Sequence, residues 1–157
     1  MTQNDINSSQ DVLQIVSTSR TTILSCATVI PRDDSIPQNT EGDQVFTLAI
    51  TPKRSTSKLK IFFSSFGTGA GGAVGPTVAL FQDSTANALA AVNLRQVNSA
   101  VCLDLQYIMT SGTTSSTTFA IRVGPNAGTF YINGDATGTQ LMGGVASTTM
   151  TIVEYRQ

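Results

Sequence analysis

The chain has 157 residues, enough for one ordinary domain with a sizeable core. Nine lysine and arginine residues against ten aspartate and glutamate residues give a formal net charge of −1, so the clustered basic charge of a nucleic-acid-binding protein is missing and we expect no nucleic-acid partner. No apolar run approaches the ~20 residues that cross a bilayer, so we expect no membrane insertion.

The N-terminal region reads as an arm. Residues 1–10 are polar without hydrophobic period and lack the basic and apolar regions of a secretory signal, so we expect a mobile segment in a chain that stays in the cytoplasm where it is made. Residues 12–16 favour a short strand because they are rich in β-branched side chains, although one helical turn fits almost as well. We assign residues 1–20 to an N-terminal arm or attachment segment and residues 21–157 to a sandwich domain.

The next stretches alternate as strands do. Residues 21–30 predict a strand with apolar side chains on both faces, which indicates contact with a second sheet or another subunit. After a loop rich in proline and aspartate, Phe46, Leu48 and Ile50 share one face of a further strand. Residues 58–66 alternate in the same way.

A glycine-rich segment at residues 68–73 is expected to be a flexible loop without the pattern of a phosphate-binding motif. Residues 77–82 and 88–92 predict a hairpin. Residues 100–110 form the longest alternating stretch, which we place at the centre of a sheet.

The chain then returns through residues 117–123, so that Asp104 and Arg122 are expected to form a cross-strand charge pair. Asn133-Gly134 is the strongest hairpin signal, and residues 148–155 form the last strand. About eight to ten short strands with frequent turns, and no long amphipathic helix, predict an all-β fold: an antiparallel β-sandwich of jelly-roll type with a flexible N-terminal arm.

Four separated motifs occur in a fixed order: P-x-D-D-S-I-P-Q-N-T-E-G-D-Q, I-T-P-K-x-x-x-S-K-L, A-L-F-Q-D-S-T-A-N-A-L-A-A and I-M-T-S-G-T-T-S-S-T-T-F. Together they resemble a family of phage and prophage virion proteins, the tail-fibre or distal tail proteins. The resemblance runs from about residue 12 to the C-terminus. It implies a homotrimer, because phage fibres and spikes of this kind are usually threefold.

The absence of histidine argues against catalysis, since it removes the usual general base, triad partner and metal ligand together. Paired carboxylates, as in glycan-cleaving enzymes, would be the remaining route. Most carboxylates lie in turns, where they usually cap a backbone N–H or face water, so we expect no enzyme. The candidates are Asp33, Asp34, Glu41, Asp43, Asp83, Asp104, Asp135 and Glu154.

Metal and disulfide chemistry are also weakly indicated. Asp33, Asp34 and Asp43 are the residues a calcium ion would take, but no EF-hand spacing supports it, and we expect no metal or cofactor. Cys26 and Cys102 lie in predicted strands, and their spacing does not show whether they face each other. Two small buried thiols in a reducing compartment is the favoured interpretation.

Loops on a rigid sandwich can vary without disturbing its core, so we place recognition of a host-surface glycan or protein on three of them. The candidate recognition residues are Thr68, Gly69, Gly72, Ser111, Thr113, Asn133, Asp135 and Thr139. A fourth loop has two interpretations, a contact with a neighbouring subunit or a turn that satisfies its own backbone. Its residues are Gln38, Asn39, Thr40 and Glu41.

The leading hypothesis is a non-enzymatic, homotrimeric tail-fibre module for host attachment, assembled in the host cytoplasm and located in the virion. Residues 21–30 or 101–109 are expected at the subunit interface, and the N-terminal arm at other virion proteins. The alternative is a capsid decoration protein anchored by that arm, because the chain starts at its own methionine and shows no fibre shaft.

Overall fold

The computed structural model describes residues 11–71, 74–95 and 99–156. These residues form ten strands and one short 3-10 turn at Met142–Gly144. The strands are β1 (Val12–Arg20), β2 (Leu24–Cys26), β3 (Asp43–Ile50), β4 (Lys58–Ala70), β5 (Pro76–Gln82), β6 (Ala90–Asn93), β7 (Ala100–Thr110), β8 (Thr117–Pro125), β9 (Thr129–Ile132) and β10 (Thr148–Tyr155). None of the described helical turns has the length and apolarity needed to span a membrane.

The strands form two antiparallel sheets. The four-stranded sheet has the order β3-β8-β5-β6. In the six-stranded sheet, β4 pairs with β7 along one edge. Along its other edge, β4 pairs first with β10 and then with β9. β1 pairs with the outer edge of β10, and β2 pairs with the outer edge of β9. β1 and β2 occupy one strand position of the six-stranded sheet, and β9 and β10 occupy another. Counted in this way, each sheet has four strand positions, and their connections are those of a jelly roll. The predicted antiparallel sandwich is confirmed.

The two interruptions lie side by side. Arg20, the last residue of β1, is opposite Thr148, and Leu24, the first residue of β2, is opposite Ile132. The chain therefore leaves the sheet after β9 and returns at β10. Residues 133–147 form the loop between these two strand segments, which otherwise continue one another in the sheet. We call these residues the insertion.

Alternating residues of both sheets fill the space between them. Leu59, Ile61 and Phe63 of β4 are buried there, as the sequence predicted, and Phe63 meets Phe46 edge to face with ring centroids 6.4 Å apart. Each such side chain contributes roughly 1.5–3 kcal/mol when removed from water. The other large buried side chains of this core include Val78, Leu80, Leu103, Leu105, Phe119, Ile121, Val123, Phe130, Ile132, Met150 and Ile152.

A loop covers the outer face of the four-stranded sheet. Residues 27–42, which we call the covering loop, place Ile30 on Ala79 and Phe81 of β5, and all three side chains are buried. Asp43 fixes the start of the loop by accepting hydrogen bonds from the N–H groups of Ala27 (2.7 Å) and Thr28 (2.8 Å). Every residue of β5 except the last is consequently buried.

Two strand predictions are wrong. In residues 21–30 only Leu24–Cys26 form a strand, because the following apolar residues serve the covering loop rather than a two-sided strand. Residues 100–110 do form a strand, β7, but it pairs only with β4 among the described residues and so lies at an edge. Its alternation is the same as that of a central strand, since one face covers the core in either position.

The glycine-rich segment is part of a strand rather than the expected flexible loop. β4 continues to Ala70, and Thr68 and Gly69 are buried within it. A Cβ on Gly67 would lie 2.5 Å from the carbonyl oxygen of Tyr131, and one on Gly69 would lie 2.7 Å from Cβ of Val74. These glycines permit close approach of neighbouring chain segments rather than loop flexibility. Gly72 lies outside the described residues.

Two further expectations change. β1 pairs with β10 along its length, so residues 12–20 belong to the sandwich and not to an arm; residues 1–10 lie outside the described part. Asp104 and Arg122 lie in different sheets and form no pair. Arg122 instead donates hydrogen bonds to the carbonyl oxygens of Glu41 and Gly42, each at 2.7 Å.

Candidate functional site

The neck of the insertion is built around Asn133. Its buried side-chain amide donates to the carbonyl oxygens of Arg20 (3.0 Å) and Thr22 (3.3 Å), and its Oδ1 accepts a hydrogen bond from Thr148 Oγ1 (3.0 Å). Asn133 has a positive φ of 58°, which asparagine tolerates better than most residues. The predicted two-residue hairpin at Asn133-Gly134 is therefore wrong, because this asparagine joins the interrupted strands instead.

The first half of the insertion is a self-contained turn. Oδ1 of Asp135 accepts hydrogen bonds from the N–H and hydroxyl of Thr137 and from the N–H of Thr139. The hydroxyl of Thr137, the N–H of Thr139 and the N–H of Thr137 hold the pKa of Asp135 below its ordinary value. The turn lies beside Tyr131 of β9, since a Cβ added at Gly138 would lie 3.3 Å from the ring of Tyr131.

The second half of the insertion exposes apolar side chains. Met142 is 66% exposed and Val145 is 81% exposed, the largest fractions among the large hydrophobic residues described. Met142 also has a positive φ of 55°. The N–H of Val145 donates to the carbonyl oxygen of Met142 (3.1 Å), so the two exposed residues belong to one turn, and exposed apolar residues grouped in this way are typical of contact sites. Sequence reasoning placed recognition on this loop but named only its polar residues Asn133, Asp135 and Thr139, and so missed both apolar side chains.

Four of the proposed recognition residues are not on the surface. Thr68 and Gly69 lie within β4, Asn133 forms the neck, and Ser111 is buried where its hydroxyl donates to the carbonyl oxygen of Arg54 (2.6 Å). These four assignments are corrected. Thr113, Asp135 and Thr139 remain accessible on their loops.

The Gln38–Glu41 loop is held by this chain itself. The N–H of Gln38 donates to Oε2 of Glu41 (2.9 Å), and the N–H of Glu41 donates back to the carbonyl of Gln38 (2.9 Å). The N–H of Asn39 donates to Ala86, and that of Ala88 to Pro37, so the loop also pairs with the turn before β6. These bonds support the interpretation in which the loop satisfies its own backbone groups. A contact of this loop with another subunit stays a prediction.

A groove lies where two of the separated motifs meet. Residues 33–37 of the covering loop form one wall, and Ala88, Ala90 and Ala91 form the other, around a cavity of about 300 Å³. An adjoining cavity of about 160 Å³ is lined in addition by Pro31, Arg32, Thr77 and Asn93. We call the two cavities together the Asp33 groove. In the sequence, the alanine-rich run N-A-L-A-A corresponds to one wall of the Asp33 groove, but a run of alanines does not by itself predict a binding site.

Two of the remaining carboxylates, Asp83 and Asp43, have structural partners. Asp83 accepts hydrogen bonds from the hydroxyl of Thr117 (2.9 Å) and the N–H of Thr118 (2.8 Å), and Asp43 holds the covering loop. Asp104 is exposed on β7. Within residues 11–71, 74–95 and 99–156, no three histidine, cysteine or acidic side chains are grouped closely enough to hold a metal ion.

Glu154 is buried in a network at the other end of the sandwich. It accepts hydrogen bonds from Ser57 Oγ (2.5 Å), from the N–H groups of Lys53 (2.8 Å) and Arg54 (3.2 Å), and from Gln14 Nε2 (2.5 Å). Burial opposes ionisation, but these donors together lower the pKa of Glu154 below its ordinary value. The carboxylate therefore fastens β1 and the β3–β4 connection to β10.

The two cysteines are free and differ in environment. Cys26 is buried, and desolvation, followed by the charge of Asp43, raises the pKa of its thiol to about 12 against the opposing effect of Arg20. Cys102 is exposed on β7. The expectation of two buried thiols is thus wrong for Cys102.

Within the described residues, no loop buries Ile15 and Ile108 on the outer face of the six-stranded sheet as the covering loop buries Ala79 and Phe81 on the other sheet. One cross-strand row places Ile15, Val153, Lys60 and Ile108 side by side, and Ile15 and Ile108 are 59% and 46% exposed. In the next row, Phe62 lies beneath the ammonium group of Lys60, 4.7 Å from the ring centre. We call these two rows the open face.

No protein-family model matches the chain, and no curated protein matches it. Among solved structures, an Eiger TNF from S. frugiperda is similar with a TM-score of 0.52 and 7% identity, over 91% of this chain and 94% of that chain. At this identity the likeness shows the fold alone, and it agrees with the jelly-roll connectivity.

Two weaker likenesses carry no argument about function. The EclA C-terminal domain, described as a sugar-binding protein, has a TM-score of 0.38 and 18% identity over 77% of this chain and 76% of that one. An enzymatically active domain of the bacteriophage CBA120 tailspike protein 4 has a TM-score of 0.32 and 16% identity over 76% of this chain and 18% of that one. The resemblance to tail-fibre proteins therefore rests on the sequence motifs.

Proposed function

We propose that the chain is a non-enzymatic attachment module of a phage virion, in which the insertion contacts the host surface. The observation that carries the proposal is the position of the insertion, in the middle of a sheet and closed by the Asn133 hydrogen bonds. A loop held this firmly at its base presents its tip with little loss of conformational entropy on binding. The sequence motifs supply the virion context.

The contact is made by the apolar second half of the insertion. Met142 and Val145 are exposed, so a partner can cover their apolar side chains without any change to the core of the sandwich. A flexible thioether side chain adapts to different partner surfaces, which suits a receptor contact. The polar turn around Asp135 serves mainly to hold this half in place.

Subunits associate, in this proposal, as a homotrimer through the open face. Its exposed isoleucines are apolar and its flanking residues are mostly hydroxyl side chains, so Lys60 is the one charged group within the two rows that association would desolvate. The other sheet uses its own covering loop to bury equivalent positions, namely Ala79 and Phe81. A neighbouring subunit would do the same for Ile15 and Ile108.

The proposal is tested by competition for host cells. Purified protein should reduce adsorption of the parent phage, and the double substitution Met142→Ser with Val145→Ser should abolish that reduction while the melting temperature stays the same. Val29→Ser is the matched control, because Val29 is 42% exposed on the covering loop. Equal competition by the insertion variant would disprove the role of the insertion.

Position on the particle separates attachment from the alternative of capsid decoration. Antibody raised against the chain and labelled with gold should mark the distal tail in electron micrographs. Label over the head would overturn the attachment role and favour decoration.

A further inference from the structure

The Asp33 groove combines a negative rim with an apolar floor. Asp33 and Asp34 line the larger cavity, and no basic side chain within the described ranges forms an ion pair with either carboxylate. Ser35 donates to Oδ1 of Asp33 through its N–H (2.8 Å) and its hydroxyl (2.5 Å), and these two bonds hold the pKa of Asp33 below its ordinary value. The groove therefore presents negative charge at neutral pH.

The floor suits an aliphatic stem. Ala88, Ala90 and Ala91 form it, and Ile36 and Pro37 close its side, so that methylene groups would meet a lining that is more apolar than polar. A residue in a β-sheet occupies about 160 Å³, which is the product of its rise along the strand, the distance between neighbouring strands and the distance between packed sheets. The larger cavity, at about 300 Å³, has room for one long side chain and part of its main chain. A lysine side chain has this character, with an apolar stem and a charged end.

The edge of β6 beside the groove is open. β6 pairs with β5 on one side, and no described strand pairs with the other side. Opposite residues of antiparallel strands alternate between pairs that exchange backbone hydrogen bonds and pairs that do not. The N–H of Leu94 donates to the carbonyl oxygen of Pro76 opposite it. The pairs Thr77–Asn93 and Ala79–Ala91 are therefore the ones that exchange no backbone hydrogen bonds. The backbone N–H and C=O groups of Ala91 and Asn93 therefore point outward, where an added strand would meet them.

We propose that the Asp33 groove binds a lysine side chain of an extended segment of a partner protein, whose main chain pairs with the outer edge of β6. The carboxylates of Asp33 and Asp34 receive the ammonium group, and the alanine floor receives the stem. Ala91 contributes to both contacts, since its side chain lines the groove and its backbone faces the edge. Strand addition of this kind supplies affinity through main-chain hydrogen bonds and specificity through side-chain pockets.

Arg32 restricts the sequence of the partner. It lines the smaller cavity, so a second basic residue next to the lysine would meet a like charge. The preferred segment has a single lysine flanked by uncharged residues of high strand propensity. This site is separate from the insertion, and the inference does not depend on host attachment.

The test uses the whole chain and a blocked pentapeptide, Val-Thr-Lys-Val-Thr, followed by amide chemical shifts in NMR. Saturable shifts should appear at Ser35, Ala88 and Ala91. The same peptide with norleucine in place of lysine keeps the stem without the charge, and it should bind at least threefold more weakly, as expected for a solvent-exposed charge pair. Added salt should weaken only the lysine peptide.

Variants distinguish the two halves of the proposal. Asp33→Asn with Asp34→Asn should weaken the lysine peptide at least threefold, whereas Asp104→Asn, on an exposed carboxylate of β7, should leave binding unchanged. A peptide N-methylated on the lysine and on both residues that flank it lacks the edge donors of either strand orientation and should bind up to about tenfold more weakly. Melting curves show that each variant is folded.

Three outcomes would overturn the inference. Absence of saturable shifts at the groove would exclude the site, and equal binding of the norleucine peptide would exclude the charge contact. Equal binding of the N-methylated peptide would exclude pairing with β6. None of these results bears on competition for host cells, so failure here and failure of the attachment role remain distinguishable.

Discussion

The hydroxyl of Thr148 donates a 3.0 Å hydrogen bond to Oδ1 of Asn133, fifteen positions earlier in the chain. Both side chains are fully buried. Because Asn133 also binds the carbonyl oxygens of Arg20 and Thr22, one amide connects the ends of two interrupted strands. The insertion and the interruption between β1 and β2 are therefore parts of a single arrangement.

Removing the Asn133 amide should destabilise the whole domain. Asn133→Gly keeps a residue that accepts positive φ but leaves the two carbonyls and the Thr148 hydroxyl without this partner, and we expect a loss of about 2–4 kcal/mol in the free energy of unfolding. Thr148→Val removes only one bond and should cost about 1 kcal/mol. Urea denaturation measures both. Equal and small losses would contradict the central role of Asn133.

Glu154 should make stability depend on pH in the acid range. Its pKa is lower in the folded chain than the ordinary 4.5, so its stabilisation is fully present above about pH 4.5 and is lost as the pH falls through the folded value. The urea midpoint should fall steeply below that pH. Glu154→Gln should cost about 2–3 kcal/mol at neutral pH, because an amide NH₂ then faces N–H donors, and should flatten the acid dependence.

Asp43→Asn provides the comparison for that experiment. Burial opposes ionisation of Asp43, but hydrogen bonds from Thr28 and Ala27 and the charge of Arg122 lower its pKa as well. The Asp43 variant should lose only its own part of the acid dependence. A Glu154→Gln variant with the same acid profile as the parent would refute the assignment.

Thiol reactivity should separate the two cysteines. Cys102 is exposed, while Cys26 is buried with a pKa near 12, so a thiol reagent at neutral pH should modify one thiol rapidly in the native chain and both in denaturant. Cys102→Ser should abolish the rapid reaction. Rapid modification of Cys26 in that variant would show that the region around β2 opens readily.

Gly124 should tolerate no side chain. A Cβ there would lie 2.8 Å from Cγ1 of Ile30 and 2.9 Å from Cα of Gly42, so Gly124→Ala should displace the covering loop and cost about 3 kcal/mol. Gly112→Ala is the matched control, since a Cβ at Gly112 meets nothing within 4 Å and only the positive φ of 68° opposes it, at about 1 kcal/mol. Thermal unfolding of both variants measures the difference.

Association through the open face should be sensitive to charge. Ile108→Lys places a second ammonium group beside Lys60 and should convert the proposed trimer to a monomer in light scattering, without lowering the melting temperature of the monomer by more than a few degrees. Ile36→Lys, at a residue 54% exposed on the covering loop, is the control. A parent chain that is monomeric at micromolar concentration would disprove the trimer.

Side-chain alternation predicted the strands well because burial decides it locally. The inward residues of β4, β7 and β8 follow from the sequence, as do the β5–β6 hairpin and the last strand. Alternation does not encode which strand is a neighbour, so β7 was placed at a centre instead of an edge. The continuous burial of β5 likewise depends on Ile30, which is distant in sequence.

The site was predicted less well, for two physical reasons. Turn-forming residues were taken as exposed, yet Asn133 and Gly69 adopt their positions to serve close packing inside the sheet. The Asp33 groove depends on two segments that meet only after folding, and no short pattern marks it. The accessibility of Asp135 and Thr139 was predicted because their turn is local, while their role in recognition stays a prediction.

The closed neck gives the insertion a further property. Since Asn133 and Thr148 define the distance between the two ends, the register of β9 and β10 on β4 does not depend on how many residues lie between them. Doubling the length of such a loop costs only about 0.6 kcal/mol in closure entropy. The same sandwich can therefore carry loops of different length and sequence, and foreign peptides grafted between residues 134 and 147 should be displayed on an unchanged domain.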